Sequence, residues 1–130
     1  MVTIEYMHIC DYAFTTDDGK PCIIGVVDDI NARGFPMRHP VLSIAIRFRA
    51  QAGKVFPVTV EFGRQNGEVL GAMEHRNVTI GSDGVAFVHL TMVNTPFPEP
   101  GRYAFKVSSN RQTLATQSIR ARQAQRSVGH

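Results

Sequence analysis

The sequence predicts an all-β fold, a single antiparallel β-sandwich of about eight or nine strands. Segments that alternate polar and apolar residues recur about every ten to fifteen residues, and turn-forming residues separate them. No stretch has the apolar period of about 3.6 residues that marks an amphipathic helix. The clearest segment follows the turn Pro98–Gly101, where Tyr103, Phe105 and Val107 occupy every second position. Such a segment is typical of a strand with one buried face.

The first strand is predicted at Val2–Cys10, which alternates in the same way. The second is predicted at Cys22–Val27, which is apolar on both faces. Between them, Asp17–Gly19 has the composition of a hairpin turn. Asp28–Pro36 then predicts a longer connection outside the sheet, with room for a short helical turn.

The central segments Val41–Ala50 and Val55–Phe62 alternate most regularly. We expect them to pair as a hairpin through Gln51–Lys54, side by side in one sheet. Pro57 has no N–H group to donate to a neighbouring strand. Its strand therefore either lies at a sheet edge or has a bulge at this position.

Five further strands follow, and turn-forming residues separate most of them. Their predicted bounds are Glu68–Leu70, Arg76–Ile80, Val85–Val93, Arg102–Ser108 and Thr113–Arg120. The predicted turns are Asn66–Gly67, Ser82–Gly84 and Asn110–Gln112. The long connections Ile30–Pro40 and Thr95–Gly101 favour two sheets, in an immunoglobulin-like or jelly-roll-like arrangement, over an up-and-down barrel.

The chain is long enough for one domain, predicted at residues 1–122, and residues 123–130 are predicted as a flexible basic tail. Of the 130 residues, 43% are hydrophobic and 19% are charged, which excludes a disordered or fibrous chain. The net charge of +3 comes from 14 Lys and Arg against 11 Asp and Glu. Three arginines near the C-terminus, Arg120, Arg122 and Arg126, account for the excess. The body is therefore neutral, and we expect no nucleic-acid partner.

The predicted location is cytoplasmic. No run approaches the roughly 20 apolar residues that span a bilayer, and the first residues lack the basic and apolar regions of a secretory signal. We therefore expect no membrane partner. Cys10 and Cys22 would be out of register across the Asp17–Gly19 hairpin, so we expect two reduced thiols.

The sequence predicts no catalytic residue, no metal ligand and no cofactor. No two histidines lie within ten residues of each other, whereas a cupin-like metal site needs a close pair. The acidic pairs Asp17–Asp18 and Asp28–Asp29 lie at opposite ends of one predicted strand, so one calcium ion cannot bridge them. Neither a Gly-x-Ser-x-Gly elbow nor a glycine-rich phosphate loop is present. The histidines are His8, His39, His75, His89 and His130.

Two predicted strands, Cys22–Val27 and Val85–Val93, have more apolar residues than one buried face requires. Their second faces need a cover, since contiguous exposed apolar patches usually mark association. Loops of the same subunit, a partner protein and a second copy of the chain are the candidate covers. The predicted assembly face consists of Ile23, Val27, Val85, Phe87, Phe35 and Phe97.

These observations predict a non-catalytic binding or assembly module, either a homo-oligomer or one component of a complex with a protein partner. The alternative is a small-ligand binder with a pocket between the loops Phe35–His39 and Thr95–Gly101. A hydrolase that uses His and Asp residues from those loops is the third hypothesis.

A set of short motifs runs through the chain: Asp11-Tyr12-Ala13 before the first hairpin, Gly25, Phe35-Pro36, and Pro98-x-Pro100-Gly101-x-Tyr103-x-Phe105. With this set the sequence resembles an uncharacterised family of small bacterial β-sandwich proteins, known only as a domain of unknown function. The resemblance covers residues 1 to about 120. It implies a bacterial or phage origin and no particular chemistry, so it assigns no catalytic residue.

Overall fold

The computed structural model of the protein describes residues 1–124, which form nine β-strands and no helix. The strands are β1 (Thr3–Thr15), β2 (Pro21–Val26), β3 (Asp29–Ala32), β4 (Met37–Arg49), β5 (Val55–Arg64), β6 (Val69–Thr79), β7 (Val85–Phe97), β8 (Gly101–Ser109) and β9 (Gln112–Gln123). One sheet has four strands in the order β2-β1-β4-β7, and the other has five in the order β3-β9-β8-β5-β6. The predicted all-β fold with two sheets is confirmed.

One strand pair departs from the predicted antiparallel arrangement. β3 runs parallel to β9, in a register that pairs Asp29 with Arg120 and Ala32 with Gln123. The chain leaves the four-stranded sheet after β2 and enters the other sheet beside β9 in the same direction. The buried side chain of Ile30 anchors this short strand in the core. The prediction of a loop or helical turn in this segment is therefore wrong.

β4 and β5 lie in different sheets, so the predicted hairpin between them is wrong. Both strands turn their apolar face to the same core from opposite sides, and the rings of Phe48 and Phe56 meet there with centroids 5.3 Å apart. The residues between the strands cross from one sheet to the other. Pro57 sits at a bulge in β5, which is an interior strand between β8 and β6.

An aromatic cluster joins the two sheets in the core. Phe97 from β7 lies edge-on to Phe62 and Tyr103 from the five-stranded sheet, at centroid distances of 5.2 and 5.0 Å. Phe62 also stacks on Tyr103 at 5.5 Å and contacts Phe105 at 4.9 Å. All four side chains are buried, so the cluster fixes how the sheets pack.

Tyr103 combines this packing with a polar contact at the surface. Its hydroxyl donates to the carbonyl of Glu99 at 2.5 Å and accepts from the Glu99 N–H at 3.2 Å. A tyrosine at the start of a strand that hydrogen-bonds the backbone a few residues upstream is the tyrosine corner of immunoglobulin-like domains. It explains why a proline-glycine turn precedes the Tyr103 strand.

β9 reaches slightly into the segment predicted as a tail. The strand continues to Gln123, and the N–H of Ala124 donates to the carbonyl of Ala32 at 2.6 Å. The rest of the predicted tail, residues 125–130, lies outside the described residues.

We predict that Tyr103→Phe lowers the free energy of unfolding by about 1–2 kcal/mol, because it removes the hydroxyl but keeps the ring in the cluster. Urea denaturation followed by circular dichroism measures this change. The control, Tyr12→Phe, removes a hydroxyl from an exposed ring and should change the stability by less than about 0.5 kcal/mol. Equal losses in the two variants would contradict a structural role for the corner.

Candidate functional site

The four-stranded sheet has one face in the core and one in solvent, and the solvent side is apolar. Core pairs such as Ile9 with Ile44 and Leu42 with Met92 fix which residues point inward. Their neighbours along each strand point outward. We call these outward residues the apolar outer face. They are Tyr6, His8, Cys10, Tyr12 and Phe14 on β1, Cys22, Ile24 and Val26 on β2, Val41, Ser43, Ala45 and Arg47 on β4, and Phe87, His89, Thr91 and Val93 on β7.

Five large apolar side chains of this face are well exposed, with 47–67% of their surface in solvent. They are Tyr12, Phe14, Ile24, Val26 and Val93. The outward side of the five-stranded sheet is different, since Thr59, Glu61, Lys106 and Thr116 lie there. Glu61 and Lys106 are 3.8 Å apart, within ion-pair distance. Val55 and Val69 at the ends of β5 and β6 are also exposed, but five of the seven exposed large apolar residues within strands lie on the apolar outer face.

The centre of the apolar outer face holds small side chains. Cys10, Ser43 and Ala45 are buried although they point outward, because larger neighbours surround them. The Cys10 thiol donates weakly to the carbonyl of Ser43, at 3.5 Å. Burial raises the pKa of this thiol, and the neighbouring Asp11 carboxylate acts in the same direction. Cys10 therefore stays protonated at neutral pH and is a poor nucleophile.

Two histidines flank Ala45 in one row across the sheet. Ala45 pairs with His8 of β1 on one side and with His89 of β7 on the other. The ring of His8 lies 5.2 Å from the ring of Tyr6. Burial lowers the pKa of His89, and its Nε2 atom has no hydrogen-bond partner among residues 1–124. His89 is therefore neutral at physiological pH.

These histidines do not form a metal site with other ligands. In the part of the chain that the structure describes, no group of three or more His, Cys, Asp and Glu side chains is arranged to hold a metal ion.

The end of the face near Phe87 is charged but largely neutralised. A bulge in β1 between Ile4 and Tyr6 turns Glu5 toward the two arginines of β4. The carboxylate of Glu5 accepts from Arg47 Nε at 2.7 Å and from Arg49 Nε at 2.9 Å. Hydrogen bonds from Arg49 and Arg47 hold the pKa of Glu5 below its usual value. Arg47 also lies over the ring of Phe87, 5.3 Å from its centroid.

The structure does not bring the six predicted assembly residues together. Phe87 points outward from β7 and is half-buried, and Val85 on the same side is 8% exposed. Val27 and Phe35 pack against the core from its edge. Ile23 shares the inward side of β2, and Phe97 is completely buried in the aromatic cluster. Phe97 therefore cannot belong to a binding surface.

The predicted assembly face includes Ile23 and Val27 of the Cys22–Val27 segment, whereas Ile24 and Val26 are its exposed apolar residues. Because Cys22–Val27 is apolar on both sides, its alternation alone cannot tell inside from outside. The sequence does contain one signal for the outward residues of β1. The alternation of Val2–Cys10 continues in phase through Tyr12 and Phe14 to the end of that strand. These two residues extend the outward row of Cys10.

The predicted ligand pocket corresponds to a shallow depression of about 440 Å³. It is lined by Pro36, Met37, Arg38, Pro96, Phe97 and Pro98. Arg38 is the one charged residue of this lining, and its guanidinium donates to the carbonyl of Asn94 at 3.1 Å. The lining includes neither His nor Asp. The depression therefore lacks the converging polar groups that a hydrolase or a specific small-ligand site needs.

Residues 5–122 match the model of a family of unknown function, DUF6941. The chain belongs to this family. The match covers nearly all of the sandwich and confirms the resemblance found in the sequence. No curated protein sequence matches this DUF6941 chain.

Solved structures share the fold of this DUF6941 protein at low sequence identity. An immunoglobulin-like protein from Pseudomonas aeruginosa is 14% identical, with a TM-score of 0.50 over 94% of this chain and 97% of that one. The C-terminal domain of Wzt is 9% identical, with a TM-score of 0.57 over 98% of this chain and 77% of that one. The alkylpurine DNA glycosylase AlkC from Pseudomonas fluorescens, bound to DNA containing an abasic site analog, is 14% identical with a TM-score of 0.56. That match covers 93% of this chain but only 30% of the glycosylase. At these identities the likeness establishes the fold alone.

Among residues 1–124, no helix is long and apolar enough to cross a lipid bilayer.

We predict that the stability of the protein falls as the pH drops through the ordinary pKa of histidine, because His89 resists protonation in the folded state. Its folded pKa is lowered, so the unfolded chain binds more protons below about pH 6.5, and this loss of stability is absent at higher pH. Urea denaturation at pH 7.5 and pH 5.5 should show a smaller loss in His89→Gln than in the wild type. His75→Gln, which changes an exposed histidine on β6, is the control and should lose as much as the wild type. A His89→Gln variant with the full loss would assign the effect to other groups.

Proposed function

We propose that this DUF6941 protein is a non-catalytic binding or assembly module, and that it contacts a protein surface through the apolar outer face. The observation that carries the proposal is the concentration of exposed Tyr, Phe, Ile and Val side chains on one sheet face, while the middle of the opposite face holds Thr59, Glu61, Lys106 and Thr116. Contiguous apolar patches of this kind mark interaction sites in folded proteins.

The size of the face suits a small protein interface. With strands about 4.8 Å apart and a rise of about 3.3 Å per residue, the three strands β1, β4 and β7 between Tyr6 and Cys10 and the two strands β1 and β2 between Cys10 and Phe14 give roughly 300 Å². Functional patches on single domains commonly reach about 300–600 Å², and one side of a standard interface buries about 800 Å². Rim residues would supply the remaining area.

The chemistry of the face favours binding over reaction. Its aromatic residues Tyr6 and Tyr12 are of a type enriched at protein interfaces, because their rings bury a large area with few rotatable bonds. The thiol of Cys10 is buried and protonated, so it is not available for reaction. The Glu5 carboxylate pairs with both Arg47 and Arg49 at one end, which leaves a net charge of +1 for a partner to meet there.

Site-specific cross-linking in cells that make the full chain tests this proposal. We predict that a photoreactive benzoylphenylalanine at position 24 gives discrete adducts, and that the same group at position 116 on the polar face gives none. A second copy of the chain would produce an adduct of about twice 14.4 kDa, and a different partner would produce another mass.

A second substitution makes the result specific to the face. Val26→Asp, on the same side of β2 as residue 24, should reduce the adduct yield at least about tenfold, because it places a charge in an apolar contact. Equal adducts at positions 24 and 116, or adducts at position 24 that Val26→Asp leaves unchanged, would overturn the proposed function.

A further inference from the structure

β7 is paired along one side only. It forms a ladder with β4 from Phe97 at one end to Val85 at the other. Within residues 1–124, no strand pairs with its other side. Between Val85 and Val93 the ladder has no register shift, so the unpaired side is a regular strand edge of nine residues. Such an edge presents a row of backbone N–H and C=O groups to solvent.

The other three edges formed by the described strands are protected in recognisable ways. β3 has four residues, and β2 has six. β2 also contains Gly25, which has φ +70° and where a Cβ would lie 2.2 Å from the carboxylate of Asp11. β6 carries Glu74 and Arg76, and two register shifts distort its pairing with β5. Short length, charge and bulges are the usual protections of sheet edges.

Between Val85 and Val93, β7 has none of these protections, and the positive φ of Asn94 (+52°) lies beyond this segment. It is 13 residues long and contains no Asp, Glu, Lys or Arg. Its first proline, Pro96, lies beyond the regular segment. An uncharged edge of this length pairs readily with another strand.

Comparison with the strand order of immunoglobulin domains shows what normally covers this edge. The tyrosine corner identifies β8 as strand F, and its sheet neighbours β5 and β9 then correspond to strands C and G. β4 and β7 correspond to strands B and E. In constant-type domains strand D pairs with strand E on the side away from B. Here β6 stays in the five-stranded sheet, and the turn at 80–84 leads directly into β7, so residues 1–124 supply no strand D.

We infer that β7 pairs antiparallel with β7 of a second copy of this chain, which gives a continuous eight-stranded sheet across a two-fold axis. A second copy fits because self-pairing of an uncharged strand places no like charges opposite each other. A two-fold axis also brings the same surface of both subunits together, as isologous dimers require. The outward residues Phe87, His89, Thr91 and Val93 would then join the two apolar outer faces side by side.

This inference concerns the edge of the sheet and does not depend on the proposed function of its face. The two are distinguished by distance. In an edge-paired dimer the β7 strands are neighbours, about 5 Å apart, while the β2 strands are separated by seven strand spacings, or about 34 Å. In a dimer stacked face to face the sheets lie about 10 Å apart, and the β2 strands come much closer together than 34 Å.

Pulsed electron paramagnetic resonance on nitroxide-labelled protein measures these distances. The labels are placed on Thr91→Cys or Ile24→Cys in a Cys10→Ala/Cys22→Ala background that keeps the wild-type circular dichroism spectrum. We expect a label-to-label distance below about 20 Å at position 91 and one above about 30 Å at position 24. A short distance between the labels at position 24 overturns the inference. So does a chain that is monomeric at 100 μM, about 1.4 mg/ml from the 14.4 kDa mass. This holds even if a strand of another protein occupies the edge.

A charge substitution supplies an independent readout. Thr91→Lys/Val93→Lys places lysines at two exposed outward positions of the edge, where they would repel those of the second copy. Sedimentation equilibrium should show at least about tenfold weaker dimerisation. The matched control Ile24→Lys/Val26→Lys makes the same charge change on the opposite edge of the same face and should leave the dimer affinity unchanged. Loss of dimer only in the control would favour face stacking and overturn edge pairing.

Discussion

The contact on which the rest of the structure depends is the edge-on packing of Phe97 against Phe62 and Tyr103. Phe97 belongs to the four-stranded sheet and the other two rings to the five-stranded sheet, so this one contact sets the distance and orientation of the two layers. Tyr103 is tied in turn to the backbone of Glu99 through its hydroxyl. Because side chains alternate along a strand, a residue fixed in the core also fixes the outward direction of its neighbours. The position of the apolar outer face is therefore a consequence of the core.

The properties of the apolar outer face come from three local devices. The bulge at Glu5 brings a carboxylate to Arg47 and Arg49, so that the charges at this end are paired. Small residues in the middle, such as Ala45, let the larger side chains around them close over the sheet. The continuation of β1 beyond Cys10 adds an extended apolar end that pairs with β2. Together these features produce a surface that is solvent-accessible at its rim, buried at its centre and low in net charge. Such a surface suits reversible contact with another folded surface.

The sequence predicts how side chains alternate within single strands, but it does not predict which strands pair with each other. The regular alternation of β4 has one side that is clearly more apolar, and that side lies in the core. β2 is apolar on both sides, so only its pairing with β1 shows that Ile24 points outward. The separation of β4 and β5 into different sheets depends on where each strand finds a partner, which local pattern does not encode. The row of His8, Ala45 and His89 likewise exists only because β4 lies between β1 and β7. The spacing of these two histidines in the sequence does not predict that they lie in one row.

The order of the strands along the chain has a consequence for biosynthesis. The four-stranded sheet is complete once residue 97 has been made, whereas the five-stranded sheet still lacks β8 and β9, which end at Gln123. Proteins emerge from the ribosome N-terminus first, so the inner side of the first sheet must wait for the residues that cover it. During this interval Phe97 has no Tyr103 to meet, and the uncharged β7 is exposed along both its face and its edge. The nascent chain is therefore most prone to aggregate before β8 and β9 have been made, and chaperone binding would act at this stage.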